Sequence, residues 1–169
     1  MEIRKAAEAD LPQIAALYRR NHFGAYRGLL PEAYFAALSP EACAEKWAKA
    51  LHDPEHTVLT ACEGERFLGF AAGMPDAELA GTWYLESLHV EEAARGKGVG
   101  TALIRAAAAL AREAGFERMS ICIVRGNDGA GALYRRLGAE HLKYFEDDFA
   151  GTVSHSEKLV WNSLPAGAE

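Results

Sequence analysis

Between Thr82 and Gly138 the chain alternates its hydrophobic period in a way that few folds accommodate. Thr82–Val90 reads as a long strand, Arg95 to Thr101 as a glycine-rich turn, and Gly98–Ala114 as a helix. Leu103, Ile104, Ala107, Leu110 and Ala111 recur in that helix at helical spacing, and Gly115 ends it. Arg118–Val124 reads as a buried strand, and Asp128–Leu137 as a short helix closed by Gly138. Upstream, Glu2–Lys5 reads as a strand, and Asp10 caps a helix with Leu11, Ile14, Leu17 and Tyr18 on one face. His22–Leu30 is loop-like, Pro31 opens a short helix, and Ser39-Pro40 starts another that reaches about Leu51. Thr57–Cys62 and Phe67–Gly73 flank a turn as a hairpin, and His141–Phe145 and Thr152–Trp161 form a final antiparallel pair. Helices set into a mostly antiparallel series imply an α/β (α+β) fold, with a mixed central sheet of about seven strands flanked by helices.

The length of 169 residues suits a single domain over 1–169. The net charge of −6 disfavours a free-standing nucleic-acid binder. That figure hides a partition: from Ala93 to Phe145 there are 9 Lys/Arg against 4 Asp/Glu. A basic middle in an acidic chain points either to a specific anionic ligand or to chance clustering on a helical face. Cys43, Cys62 and Cys122 form no CxxC pair, which argues against a disulfide framework and a zinc site. No apolar run is long enough to span a bilayer, and MEIRKAAEAD lacks the apolar core of a signal peptide, so a cytoplasmic protein is expected.

The turn Arg95-Gly96-Lys97-Gly98-Val99-Gly100-Thr101 carries the chemistry. Its glycines allow a tight turn and close approach of a ligand to main-chain N–H groups. The first turn of the following helix leaves N–H donors unpaired, and these suit a phosphate. A Walker A loop fails because Glu91 and Gly98 occupy its other required places. A dinucleotide fingerprint fails at Thr101, where a third glycine would stand. The pattern [Arg/Gln]-x-x-Gly-x-[Gly/Ala] fits fully at Arg95, Gly98 and Gly100.

Leu85–Val90 followed by this turn resembles the central strand and pyrophosphate loop of the GNAT N-acetyltransferases. Asn127, Ala130, Tyr134 and Leu137-Gly138 resemble the family's downstream Asn-x-x-Ala-x-x-x-Tyr-x-x-x-Gly stretch. The resemblance implies transfer of an acetyl group from acetyl-CoA to a primary amine of a small molecule or peptide, by direct attack and without a metal. It implies that the pantetheine arm lies beside Leu88, His89 and Val90, with the N–H near Leu88 polarising the thioester. It further implies that Arg95, Gly96, Lys97, Gly98, Val99, Gly100 and Thr101 hold the pyrophosphate, that Asn127 and Ala130 lie along the arm, and that Tyr134 faces the sulfur. Pairing into a homodimer through the last strands is a family habit. A non-catalytic acyl-CoA binding or sensing domain, and a nucleotide-binding module, are the rival readings.

A phenol of pKa near 10 is close enough to a thiol near 8.5 to protonate a leaving thiolate, which suits Tyr134. An ε-amine costs roughly 4–5 kcal/mol to neutralise at pH 7, an α-amine about 1–1.5. Glu86 is the candidate base, because its parity matches Leu88 and Val90. His89 has the opposite parity, which packs its side chain behind the sheet. Candidates for the acceptor pocket are His22, Phe23, Tyr26 and Arg27, and the acidic triplet Glu146-Asp147-Asp148 with His155, for which a solvated loop is the commoner use. Trp83, Tyr84 and Trp161 offer an aromatic wall, although core packing is the commoner use of such residues.

Overall fold

The computed structural model describes residues 1–149 and 152–167. In chain order the elements are β1 (Glu2–Lys5), α1 (Leu11–Tyr26), α2 (Glu32–Ala36), α3 (Pro40–His52), β2 (Thr57–Glu63), β3 (Arg66–Pro75), β4 (Thr82–Val90), α4 (Val99–Glu113), β5 (Arg118–Val124), α5 (Asp128–Arg136), β6 (Glu140–Phe149) and β7 (Thr152–Trp161). The strands form one sheet in the order β1-β2-β3-β4-β5-β7-β6. Its pairs are antiparallel except β4 with β5, which are joined through α4 and run parallel.

Two apolar layers cover the two faces. On one, Leu103, Ile104, Ala107 and Ala108 of α4 meet Trp83, Leu85, Met119, Ile121 and Leu159 of the sheet. On the other, Ile14, Leu17 and Tyr18 of α1 and Trp47 of α3 meet Val58, Phe70 and Ala72. Leu103 and Ile104 are fully buried, so each contributes on the order of 1.5–3 kcal/mol by leaving water. Ser39 accepts a hydrogen bond from the Ala42 N–H and caps α3 as its sequence suggests.

Three readings of the sequence need correction here. The segment after His22 continues α1 to Tyr26, and the chain turns only beyond Arg27, where Gly28 takes φ +83°. Asp10 does not cap α1 through its side chain: its carboxylate accepts from the Ala7 N–H and from both terminal nitrogens of Arg4, at 2.7–2.9 Å. The acidic triplet 146–148 lies within β6, whose hairpin with β7 is longer than the apolar pattern indicates.

Candidate active site

The seam between β4 and β5 opens partway along the sheet. The two strands pair only over Thr82↔Arg118, Trp83↔Met119 and Tyr84↔Ser120. Beyond that point β5 stays on β7 as far as Val124↔Ser156, while β4 stays on β3 as far as Val90↔Gly69. A gap therefore separates Glu86–Val90 from Ile121–Val124. Successive residues of a strand aim their polar groups at opposite edges. The Glu91 N–H donates to Leu68 on the β3 side. The N–H and C=O of Leu88 and Val90 consequently face the gap. The Val90 carbonyl accepts there from Asn21 Nδ2 and Arg95 Nε, each at 3.3 Å. The side chains of Leu88, Val90, Ala130 and Leu133 remain partly exposed and form apolar walls.

The glycine turn closes one end of the gap. Gly96 and Gly98 take φ +73° and +83°, a region that only glycine enters without strain, and α4 begins at Val99. The Gly98 carbonyl already accepts from Ala102, so the N–H groups of the first turn point outward. At Gly100 an added Cβ would lie 3.3 Å from Leu133, so α5 approaches α4 closely there. Arg95 and Lys97 are both exposed beside the turn, but the Arg95 guanidinium is engaged by Asn21 at 3.0 Å and by Val90. The local basic surplus is likewise not one patch: Arg135 holds Glu157, Lys143 holds Glu78, and Arg118 donates to the Ala80 carbonyl.

Across the gap, Asn127, Ala130 and Tyr134 follow one face of α5, as their spacing requires. Asn127 occupies the N-cap position without a side-chain cap bond, and the Tyr26 phenol at the end of α1 lies near it. Tyr134 is 5% exposed, with its ring edge-on to Trp161 at 5.9 Å. Burial, reinforced by the neighbouring Tyr26, pushes its phenol above the ordinary value and keeps it protonated at neutral pH.

Glu86 is where strand parity breaks. Ala72 pairs with Ser87 and Gly73 with Leu85, so Glu86 is the extra residue of a β-bulge. The bulge puts Trp83, Leu85, Leu88 and Val90 on the α4 face and turns Glu86 and His89 together toward α1 and α3. Glu86 thus does not share the Leu88 face, contrary to its place in the sequence. His89 packs behind the sheet against Phe70, Tyr18 and His22, with ring centroids 5.1–5.4 Å apart. Its side chain is directed away from the gap, which removes it from the expected coenzyme contacts. Both oxygens of Glu86 are occupied: Oε1 accepts from Lys46 Nζ at 2.6 Å, and Oε2 meets His56 Nε2 at 3.2 Å. Asp53 lies 3.7 Å beyond, on the other nitrogen of His56. Lys46 and His56 carry no motif, and only the packing of α3 and of the turn after it against the bulge brings them to Glu86. Gly73 allows that bulge, since a Cβ there would lie 2.4 Å from the Tyr84 carbonyl and 2.3 Å from Trp83.

Residues 13–139 match the acetyltransferase (GNAT) family. The chain belongs to the GNAT family. The matched stretch contains the opened seam, the glycine turn and α5. An L-methionine sulfoximine/L-methionine sulfone acetyltransferase of Pseudomonas paraeruginosa is 32% identical over 142 residues, 82% of this chain and 79% of that protein. A streptothricin acetyltransferase of Streptomyces lavendulae is 33% identical over 81 residues, 48% of this chain and 43% of that protein, so the chain spans less than half of that relative. A PaiA N-acetyltransferase of Thermoplasma acidophilum, solved in complex with coenzyme A, shares the fold. Its TM-score is 0.68 at 20% identity, covering 92% of this chain and 96% of that one. Among the described residues no helix is long and apolar enough to cross a membrane.

The face of the GNAT sheet that carries Glu86 is the one away from α4. His22 and Tyr26 line it from α1, and His22 shares a hydrogen bond with the Tyr34 hydroxyl. Burial pulls the His22 imidazole down to about 4, so it is neutral at pH 7. Tyr84 half-faces this side, with Cys122 near its hydroxyl and the Lys158 ammonium 5.7 Å from its ring. Lys158 is held in turn by Asp76 at 2.8 Å and Glu78 at 2.9 Å. Several of the other candidates have partners away from this face, and the two tryptophans pack in the core, as expected of such residues. Phe23 packs on Phe35, Arg27 is exposed, Trp83 and Trp161 are buried in the core, and Glu146 meets His155 at 3.3 Å near the β6–β7 hairpin.

Proposed function

We propose that this chain transfers the acetyl group of acetyl-CoA to a primary amine of a small molecule or peptide, by direct attack of the amine on the thioester, as one domain over residues 1–169. The observation that carries the reading is the opened seam. Two strands part beyond Tyr84↔Ser120, leaving main-chain polar groups at Leu88 on one edge of an apolar-walled gap. In this reading the outward-facing N–H groups at Gly98–Thr101 bound one end of the gap, and Tyr134 of α5 faces it from across. These residues fit the coenzyme: the N–H ring suits a pyrophosphate and the apolar walls suit an extended arm.

Bound acetyl-CoA supplies the activated acyl group. In this reading the Leu88 N–H polarises the thioester carbonyl, the Arg95–Thr101 turn holds the pyrophosphate, and Asn127 and Ala130 flank the arm. Arg95 acts by fixing the end of β4, while Lys97 supplies charge. Glu86 takes the amine's proton on the opposite face, and Tyr134 gives a proton to the departing thiolate. The Pseudomonas relative named for amino-acid derivatives supports a small acceptor.

Thiol release from acetyl-CoA, measured over amino acids, peptides, polyamines and amino-bearing antibiotics, tests the reading. Release that depends on one class of amine is expected. Binding of acetyl-CoA with no release for any amine would instead favour the non-catalytic acyl-CoA binding domain. Thermal stabilisation by ATP and none by coenzyme A would overturn both.

A further inference from the structure

The acceptor side presents Glu86 already bonded to an ammonium, and this has a consequence for which amines fit. Lys46 Nζ lies 2.6 Å from Glu86 Oε1. Its side chain is 35% exposed, against 20% for Glu86, so it has room to swing while Glu86 stays fixed by His56. Around the pair the surroundings are mostly aromatic: Lys46 Nζ stands 4.9 Å from the Trp47 ring and 5.6 Å from the Tyr18 ring. His22 adds no charge at neutral pH.

A simple cationic amine or a polyamine approaching Glu86 would bring a second positive charge against Lys46 in a partly desolvated place, which is costly. A zwitterion meets no such penalty. Its ammonium can bond Glu86 while its adjacent carboxylate bonds Lys46, so four alternating charges form a closed set and the site gains no net charge. Resting on the proposed role of Glu86 at the acceptor amine, we infer that the acceptor is an α-amino acid with a free carboxylate, and that Lys46 is the residue that selects it by binding that carboxylate. Lys46 is thus a specificity residue, and Glu86 remains the one that handles the proton.

The test uses the full chain saturated with coenzyme A, so that binding is read without turnover. L-methionine sulfone, L-methionine and L-phenylalanine are each titrated against their own C-terminal amides by calorimetry, with spermidine alongside. At least one free acid is expected to bind ten-fold or more tightly than its amide and than spermidine. Lys46→Met is expected to bring acid and amide within about three-fold, and Lys46→Arg to restore most of the preference. Amides or spermidine binding as well as the acids, no binding by any of the acids, or an unchanged preference in Lys46→Met would each overturn the inference. Thiol release from acetyl-CoA by wild-type enzyme separates the two readings. Release with spermidine or amides and none with free amino acids sinks the zwitterion inference alone, whereas no release with any amine sinks the transferase reading.

Discussion

Gly98 offers a substitution pair that separates charge from backbone strain. Its φ is +83° and an added Cβ would meet nothing within 4 Å, so the cost of a side chain there is conformational rather than steric. Asn and Asp are the side chains that tolerate this region best, and the strain is at most about 1–2 kcal/mol for either. A chain of this size should therefore lose about 2–8 °C of melting temperature in both variants. Asp is favoured slightly over Asn without ligand, since a carboxylate at the start of α4 complements the helix dipole by about 0.3–1 kcal/mol. Coenzyme binding reverses that order. At about 5 Å, in the high effective dielectric of an exposed turn, one charge pair costs roughly 0.8 kcal/mol or more, so two phosphate charges cost about 1.5 kcal/mol or more. That is ten-fold or greater in affinity. Calorimetric titration with coenzyme A should show Gly98→Asn within a few-fold of wild type and Gly98→Asp at least ten-fold weaker than Gly98→Asn. Equal affinities in the two variants would refute the assignment of the pyrophosphate to this turn.

Other consequences are as specific. Tyr134→Phe keeps the ring packed on Trp161, so melting temperature and coenzyme affinity should hold while kcat falls about 10²-fold or more; unchanged kcat with saturating amine would remove Tyr134 as the proton donor. Gly73→Ala places a Cβ against backbone and Trp83, and should destabilise the fold by about 1–3 kcal/mol in denaturant titration and lower kcat by shifting the bulge; a wild-type midpoint would contradict the close packing. The lowered imidazole of His22 contributes stability that is full above about pH 6.5 and is lost as pH falls toward about 4. Melting temperature followed through that window should slope less in His22→Gln, and an identical slope would show that His22 is not buried neutral. Hydrogen bonds from Arg4 hold the Asp10 carboxyl below the usual range, so its contribution is present above about pH 4 and is lost below; Asp10→Asn should flatten that more acidic part of the curve.

Much of the scaffold can be read from local pattern. The ends of β4 and β5 agree with the reading of the sequence, as does the cap at Ser39, because alternation and cap chemistry act over a few residues. The glycine turn is legible for the same reason: Gly96 and Gly98 are glycines because the backbone there has positive φ. Glu86 marks the limit. A β-bulge is a property of two strands, and nothing in Leu85-Glu86-Ser87 signals that Ala72 and Gly73 of β3 will pair around it. One inserted residue reverses the face of everything beyond, so the carboxylate expected beside Leu88 lies instead with His89. Lys46 and His56 were out of reach for a related reason. They come to Glu86 from 40 and 30 residues away, through helix packing that no period encodes. The early end assigned to α1 is a smaller case: Gly24 weakens the helix locally, yet Asn21 is bonded to Val90 and His22 to Tyr34, and these anchors hold the helix across it.

In the proposed reaction the seam between β4 and β5 receives the coenzyme's arm. Backbone amide resonances followed during titration with coenzyme A test it directly. The largest shifts are expected at Leu88 and Val90, at Gly98–Thr101, and at Asn127 and Ala130, with His89 moving less than either neighbour. Saturable binding that leaves Leu88 and the Gly98–Thr101 amides unmoved, with shifts confined to the α1–α3 side, would contradict it.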